Sequence, residues 1–396
     1  MVTALQNKQR IQSIDLLRGT VMIIMALDHV RDYFHKGAFM FDPLDLNKTS
    51  IVIFFTRWIT HFCAPVFVFL AGTSAFLVGQ RKTKKELSAF LFKRGLWLVF
   101  LELVVINFGW HFAIGFPWLL FIVIWALGVS MIALAALIHL PQKLILVTGI
   151  LLVAGHNLLD GVMVQGNTAP AFGWALLHSP GIFSFGGENL FVAYPVIPWI
   201  GVMTLGYCFG TFYTPGYDAE KRKNNLLKIG GGAILLFIII RCINLYGDPV
   251  AWRSYKNFLI TILSYVKTTK YPPSLLYILM TLGPAIVFLA LTENSRSRLT
   301  NIISIYGRVP MFYYLIHIYL IHLLAMLFTV MFTNFDWHIW ILQQPLWINE
   351  SFAGYGFSLR VVYLVWIIVV VGLYPLCKWY DRYKQTHKEK WWLSYL

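Results

Sequence analysis

The chain has 396 residues, of which 58% are hydrophobic and only 12% are charged, and its mean hydropathy is +0.67. This balance excludes an ordinary soluble domain, in which about 25% of residues are charged. The formal net charge of +15 would suggest nucleic-acid binding in a soluble protein, but in a membrane protein the distribution of basic residues among loops matters more than their sum. The composition therefore predicts a polytopic membrane protein with no nucleic-acid partner.

Apolar runs long enough to cross a bilayer, about 17–25 residues each, recur along the chain, separated by short basic loops. Ten such runs cover 18–37, 51–79, 88–110, 117–138, 143–162, 190–213, 225–246, 273–292, 302–331 and 358–379. No soluble appendage and no fixed-period repeat interrupts them. The pattern predicts an all-α integral membrane protein of about ten transmembrane helices, forming a single domain over residues 1–396.

The N-terminal segment MVTALQNKQRIQSID is short and polar, and no small-residue cleavage site follows the first apolar run. We therefore expect the first helix to be retained rather than removed as a signal peptide. With the N-terminus inside and ten crossings, 22 of the 32 Lys and Arg residues fall at inner helix ends. The positive-inside rule thus predicts that both termini are cytoplasmic. The four cysteines lack paired spacing, so we expect packing residues and no metal site.

Three outer segments are longer than the rest and rich in Gly, Pro, Trp and Tyr: 161–189, 247–273 and 333–356. Two interpretations remain open for them. The aromatic residues could form a belt at the membrane interface, or they could form the mouth of an outer cavity that stacks against sugar rings.

Polar and ionisable side chains recur at one depth of the predicted bundle. At about 1.5 Å per residue, Asp28 and His29 lie just beyond the bilayer midplane. Other predicted helices place polar groups near the same depth: Arg57, His61, Glu102, His156, Asn157, Arg241 and His317. Each charge at that depth costs at least about 2.5 kcal/mol, so we expect these groups to face one another around a cavity that opens to the outside.

A different arrangement of the same residues remains open. Asp28 could pair with Arg31 one turn further on, Glu102 could pair with Arg57, and the histidines could be satisfied members of a buried network. In particular, His156 and His322 are more typical of packed core histidines than of catalysts.

The first helix carries a further pattern. Arg18 and His29 are eleven residues apart and therefore lie on nearly the same face. An arginine at the inner mouth can hold a phosphate, and a histidine can accept and return a proton near neutral pH. Asp28 or Asp32 could fix the histidine tautomer, as a carboxylate does in a catalytic triad.

Specific motifs accompany these patterns. The segment RIQSIDLLRGTVMIIMALDH, with Asp15, Arg18 and Gly19, resembles the start of the membrane domain in the heparan-alpha-glucosaminide N-acetyltransferase family and in related bacterial transmembrane acyltransferases. APVFVFLAGTS at 64–74 and LGV at 127–129 are similar to further segments of that family. KYPPSLLYILMTLGP, IYGRVPMFYYLIHIYLIH and YPLCKWYDRYK look like its uncharacterised bacterial branch. The resemblance covers almost the whole chain.

This resemblance implies acyl transfer across a membrane, from cytoplasmic acetyl-CoA to an amine or hydroxyl of a sugar on the far side. The sequence also departs from the family. It has no His-x-Ser-Trp-Asn-Gly segment between 35 and 60, and Trp125 and Ala126 replace an arginine near LGV. In the related bacterial sugar O-acyltransferases, however, the position equivalent to His29 is a histidine that serves as the catalytic base.

The leading hypothesis is a transmembrane acyltransferase of a bacterial cytoplasmic membrane. His29 is expected to be the general base, oriented by Asp28 or Asp32. The expected pocket residues are Arg31, Arg57, His61, Glu102 and His317, and the expected acetyl-CoA contacts are Asp15, Arg18, Lys93, Arg94 and Arg308. The acceptor, nitrogen or oxygen acylation, an acyl-histidine intermediate and a homodimer remain open. The alternatives are a proton-coupled transporter or exporter and a scaffold whose site has decayed.

Overall fold

Helices make up most of the chain in the computed structural model, which describes residues 11–394. The first eight helices are α1 (Gln12–Phe34), α2 (Ile51–Trp58), α3 (Cys63–Gly79), α4 (Lys84–Phe100), α5 (Asn107–His111), α6 (Val123–Leu137), α7 (Gln142–Gly155) and α8 (Ala169–Leu177). They are followed by α9 (Val196–Phe209), α10 (Ala219–Ile243), α11 (Phe258–Val266), α12 (Leu275–Thr292), α13 (Arg298–Arg308), α14 (Pro310–Phe332) and α15 (Leu359–Thr386). Lys8 and Arg10, counted above as inner cations, lie outside the described residues.

Seven helical segments among residues 11–394 are long and apolar enough to cross a membrane. They are Ile51–Gly79, Gln142–Leu159, Val196–Tyr213, Ala219–Ile243, Leu275–Thr292, Pro310–Phe332 and Leu359–Thr386. Three of the ten predicted runs fall outside this set. Charges interrupt α1, the segment that begins with α4 opens on basic residues, and α6 has only 15 residues. The multi-pass membrane character is therefore confirmed, whereas ten crossings and the cytoplasmic position of both termini stay predictions.

Helix α1 packs against α3, α12, α13, α14 and α15, so most of its length is buried. Its tightest contact is with α13, where Gly19 meets Gly307. A Cβ atom at Gly19 would lie 2.0 Å from the Ile303 carbonyl oxygen, and one at Gly307 would lie 1.8 Å from that of Asp15. The glycines thus allow the two backbones to touch, as small residues do at membrane helix interfaces.

A small sheet departs from the all-α prediction. Strands β1 (Trp118–Phe121), β2 (Gly181–Phe185) and β3 (Glu188–Val192) are ordered β1-β3-β2, with β1 parallel to β3 and β2 antiparallel to it. Gly186 and Gly187 form the hairpin turn with φ values of 60° and 91°, which glycine adopts without a Cβ penalty. β1 occupies the start of a predicted span, and the hairpin begins in the outer segment 161–189 and continues to Val192.

Candidate active site

A cavity of about 550 Å³ opens beside the C-terminal half of α1. Helix α1 contributes Asp28, His29, Arg31 and Asp32 to its wall, and Arg57 enters from α2. These five residues were predicted from the sequence to line one site, and the structure brings them together. We call this space the outer cavity; its volume lies within the range of ordinary ligand pockets, about 300–1,000 Å³.

His29 is held by a histidine from a distant part of the chain. Its Nδ1 lies 2.8 Å from Nε2 of His317 on α14, and the two rings stack at 10° with centroids 4.9 Å apart. Nδ1 of His317 lies in turn 2.9 Å from the carbonyl oxygen of Tyr313. A carbonyl only accepts, so His317 donates from Nδ1 and accepts at Nε2. His29 must then donate from Nδ1, which leaves its Nε2 as a lone-pair acceptor.

This arrangement assigns the tautomer that a general base needs. The remaining part of the His29 ring is partly exposed and meets the edge of Trp110, with ring centroids 5.0 Å apart. The sequence reasoning expected Asp28 or Asp32 to orient the ring. The hydrogen bonds give that task to His317, which is fully buried and lies next to the cavity rather than in its wall.

Asp28 and Asp32 form ion pairs with arginines and do not orient the His29 ring. Asp28 forms ion pairs with Arg57 and, at 3.0 Å, with Arg31. Asp32 contacts Arg31 at 2.5 Å. The expected Asp28–Arg31 pair is thus present, but Arg57 pairs with Asp28 and not with Glu102. Removing one member of so buried a network leaves an uncompensated charge, which typically costs about 3–5 kcal/mol.

Aromatic residues and one further cation complete the wall of the outer cavity. The Lys270 ammonium lies 5.1 Å from the Tyr271 ring centroid and 5.9 Å from that of Tyr194, and Trp347 also lines the wall. Burial raises the pKa of the Tyr271 hydroxyl, but Lys270 and Arg57 outweigh it and hold that pKa below its usual value. The lining of this cavity therefore contains three cations, Arg31, Arg57 and Lys270, and three carboxylates, Asp28, Asp32 and Asp42.

A second cavity, of about 370 Å³, opens at the other end of α1. Its walls are mostly apolar, and four basic residues stand among them: Arg18, Arg94, Arg308 and Lys384. We call it the inner cavity.

Contacts with the protein fix two of these cations. Arg18 donates to the Gly307 carbonyl at 3.0 Å and to Ser74 Oγ at 3.1 Å, and it approaches Asp15 at 3.4 Å. Arg308 contacts Asp381 at 2.8 Å. Their guanidinium groups are therefore positioned before any ligand binds.

Three details of the inner cavity differ from the sequence prediction. Asp15 does not belong to the lining, because it lies behind Arg18 and approaches it at 3.4 Å. Lys93 is exposed and does not belong to the lining, because the helical rotation that turns Arg94 inward turns its neighbour out. Lys384 was not among the predicted acetyl-CoA contacts, but it lies on α15, which continues to Thr386 and so carries the lysine to the cavity.

The inner and outer cavities meet at four shared lining residues: Met25, Phe67, Val123 and Tyr314. Arg18 and His29 lie on opposite sides of this junction, about 16 Å apart along α1 at the helical rise per residue. These four residues, which we call the neck, thus lie between a basic chamber and the chamber that contains the histidine.

Several members of the predicted polar layer lie elsewhere, so the expectation of a single cavity shared by all of them was wrong. Glu102 accepts hydrogen bonds from the backbone N–H groups of Ile124 and Trp125 at 2.8 and 2.9 Å. It caps α6, whose first N–H groups have no partner within the helix. His61 is fully buried against the Tyr277 ring and is not part of either cavity lining.

Arg241 also has a structural environment. Its guanidinium donates to four backbone carbonyls, those of Val250, Ser264, Tyr265 and Lys267. It thereby holds the segment between α10 and α12 together. Asn157 donates to Asp160 at 2.8 Å and accepts from the Leu275 N–H at 2.9 Å. Equal depth in the membrane brought these residues into one sequence pattern, but depth does not specify which way a side chain points.

Sequence reasoning missed Lys270, Tyr271 and Tyr314 as lining residues. Lys270 and Tyr271 belong to the long segment 247–273, whose aromatic content left two interpretations open. Lys270 is the first residue of KYPP, and a cation in this aromatic, proline-rich stretch was the available signal. The structure leaves this lysine only 9% exposed, which is rare without a functional or structural reason. Tyr314 carried no such signal, because a tyrosine in an apolar helix is ordinary.

A family model described as heparan-alpha-glucosaminide N-acetyltransferase, catalytic, matches residues 10–241. The match includes α1, α2 and α4, and with them His29, Arg57, Arg18 and Arg94. No curated protein matches the chain.

Proposed function

This chain belongs to the heparan-alpha-glucosaminide N-acetyltransferase family of membrane acetyltransferases, and we propose that it transfers an acetyl group from acetyl-CoA through the bilayer to a sugar amine or hydroxyl. The observation that carries the proposal is the position of His29. It has a defined base tautomer and lies just beyond a neck between two cavities, one basic and one aromatic.

The inner cavity is proposed to bind the donor. Acetyl-CoA carries several phosphate charges at one end and a thioester at the other. Arg18, Arg94, Arg308 and Lys384 supply the cations for the phosphates, and arginine suits phosphate oxygens because its donors form a fork. The apolar neck suits the uncharged arm that presents the thioester to the outer cavity.

The outer cavity is proposed to bind the acceptor. Tyr194, Tyr271, Trp110 and Trp347 offer ring faces and edges to a sugar, and their hydroxyl and N–H groups can fix its orientation. The Arg57–Asp28–Arg31 network holds the wall next to His29 rigid, which favours a reactive geometry.

The chemical step follows from these positions. The acceptor N–H or O–H attacks the thioester carbonyl while His29 Nε2 takes the proton. The C–S bond then breaks, and the proton returns from His29 to the departing thiolate, giving the acetylated acceptor and free coenzyme A. His317 stabilises the intervening imidazolium by accepting from its Nδ1–H. An acyl-histidine intermediate uses the same nitrogen.

The test uses purified protein in detergent with labelled acetyl-CoA and a panel of amino sugars and neutral sugars. We expect transfer by the wild type and a loss of about 10²- to 10⁴-fold in the His29→Ala variant, the usual contribution of a general base. Equal transfer by both proteins would show that His29 is misassigned. Proton-driven flux of a substrate, with no response of thermal stability to acyl-CoA, would favour the transporter instead.

The same proposal places the protein in a bacterial cytoplasmic membrane, with the inner cavity facing the cytoplasm. The basic residues at the inner helix ends support this orientation.

A further inference from the structure

Outside both cavities, one cluster of side chains has the composition of a metal site. His156 follows α7, Asp160 lies one helical turn further on, and His178 ends α8. One ligand atom from each of the three residues lies within 4.8 Å of the others. We propose that His156, Asp160 and His178 bind a divalent transition-metal ion of the Zn²⁺ class.

Within residues 11–394, each histidine of this cluster has a buried ring nitrogen that lacks a hydrogen-bond partner. His156 is 2% exposed, and among the described residues only the Pro273 carbonyl approaches its ring as an acceptor, so at least one ring nitrogen has no hydrogen-bond partner. Nδ1 of His178 is also buried and without a partner. Buried polar atoms are normally satisfied, and a buried polar atom without a partner destabilises the fold. A bound ion would satisfy the His156 nitrogen that faces the cluster.

The distance between two of the ligand atoms also suits a metal ion. His178 Nε2 lies 3.1 Å from Asp160 Oδ1. Two ligands about 2.0–2.1 Å from a tetrahedral Zn²⁺ are about 3.3 Å apart, so this pair already has nearly the required separation. Two imidazoles and one carboxylate suit Zn²⁺ or a similar ion, whereas Mg²⁺ and Ca²⁺ prefer oxygen ligands alone.

The surroundings resemble the outer shell of a metal site, which usually fixes its ligands through further hydrogen bonds. Asn157 donates to Asp160 Oδ2 at 2.8 Å and so leaves Oδ1 turned toward His178. The Pro273 carbonyl lies near the His156 ring, where it can receive the other ring N–H once one nitrogen is bound to metal. Residues 161–170 are exposed, which gives an ion a route from solvent.

The site would join two parts of the fold. His156 and Asp160 lie at the end of α7, whereas His178 comes directly before β2. The hairpin that follows His178 leads to Phe191 and Tyr194 in the outer cavity wall. The ion therefore stabilises that wall by linking the end of α7 to the segment before β2. It lies apart from His29, because none of its three ligands lines the outer cavity.

The experiment measures metal binding by the full-length protein in detergent. Protein stripped with a chelator is titrated with ZnCl₂, and bound zinc and the melting temperature are measured, with MgCl₂ as the comparison salt. We expect one zinc per chain and a rise of the melting temperature with Zn²⁺ only. Binding of no zinc, or an equal response to Mg²⁺, would overturn the proposal.

Variants locate the site. Asp160→Asn and His178→Gln should lose the Zn²⁺-dependent rise, whereas His338→Gln should keep it. His338 is the matched control, since it pairs with Asp336 at 2.6 Å but is exposed and lies outside the cluster. If the cluster variants do not fold, Co²⁺ added to the wild type decides, because imidazole and carboxylate ligation in a tetrahedral site gives visible absorption bands. If the Co²⁺ absorption bands are absent, the site is contradicted. Retained zinc binding in the cluster variants would contradict it equally.

Discussion

At the scale of single residues, the His29–His317 pair explains how a membrane histidine can serve as a base without a carboxylate partner. The Tyr313 carbonyl fixes His317, and His317 fixes His29. The resulting imidazole exposes one defined lone pair to the outer cavity. Asp28 and Asp32 keep the nearby arginines in place and act on His29 only through space.

This chain of bonds gives a prediction for His317. In the His317→Ala variant His29 loses its acceptor and can turn or change tautomer, so we expect kcat for acetyl transfer to fall by about 10- to 100-fold. KM for acetyl-CoA should stay the same, because His317 is distant from the basic chamber. The kinetic measurement uses His139→Ala, which removes an exposed histidine, as its control. A change in KM alone would contradict the role.

Glu102 gives a second prediction at this scale. Because Glu102 caps α6, Glu102→Ala should lower the free energy of unfolding by about 1–3 kcal/mol, the cost of leaving buried N–H donors without a partner. KM for both substrates should change little. Thermal unfolding tests this, and Glu86→Gln, at an exposed cap, should have a smaller effect. A Glu102→Ala protein that keeps wild-type stability but has impaired kinetics would show that Glu102 acts in the pocket.

The sequence predicted His29, Arg18 and Arg57 because ionisable residues within apolar runs are rare and costly. It could not predict that His317 orients His29, since this contact joins positions 288 residues apart. It also could not separate Glu102 from the pocket, because a buried carboxylate can face a helix N-terminus as well as a substrate.

At the scale of elements, the crossing of α1 and α13 positions two of the four inner cations. Gly19 follows Arg18, and Gly307 precedes Arg308, so the closest backbone contact stands directly beside both guanidinium groups. Any separation of the helices should displace the arginines as well as weaken the packing.

Gly19→Ala tests this contact. The added methyl group would collide with the Ile303 carbonyl, so we expect a loss of about 1–3 kcal/mol in stability and a higher KM for acetyl-CoA. Gly372→Ala is the control, since a Cβ there meets nothing within 4 Å and alanine favours a helix. Thermal unfolding and donor kinetics of both variants give the comparison. A Gly19→Ala protein as stable as the control would refute the close crossing.

Elements with a strong apolar pattern were predictable, and seven spans agree with the runs read from hydropathy. The three strands were not, because four or five residues give little periodicity and the sheet depends on pairing between β1 and β3, about 70 residues apart. The hairpin signal, Gly186–Gly187 between aromatic alternations, was present but lay within a segment read as a loop.

At the scale of the whole molecule, the two cavities and the neck between them make one passage interrupted by side chains. We propose that the complete chain acts as a single domain, because each cavity draws on helices from both halves of the sequence. Neither half contains a complete site.

The neck predicts a steric effect at Met25, which lines both cavities. Met25→Trp should block access of the thioester to His29 and reduce transfer strongly, while phosphate contacts in the inner cavity keep acetyl-CoA binding. Met25→Leu conserves volume and should retain activity. Transfer rates and donor binding measured in parallel test this. Wild-type transfer by Met25→Trp would mean that the donor does not pass the neck.

We propose that the protein transfers an acetyl group from one face of the membrane to the other at His29. The most direct test separates the donor and the acceptor by a membrane. The protein is reconstituted in sealed vesicles of one orientation, with labelled acetyl-CoA confined to the side of the inner cavity and the acceptor sugar enclosed on the opposite side. We expect labelled sugar on the acceptor side with the wild type and almost none with His29→Ala. Product that forms only when both substrates share one side, or equal product from the variant, would contradict it.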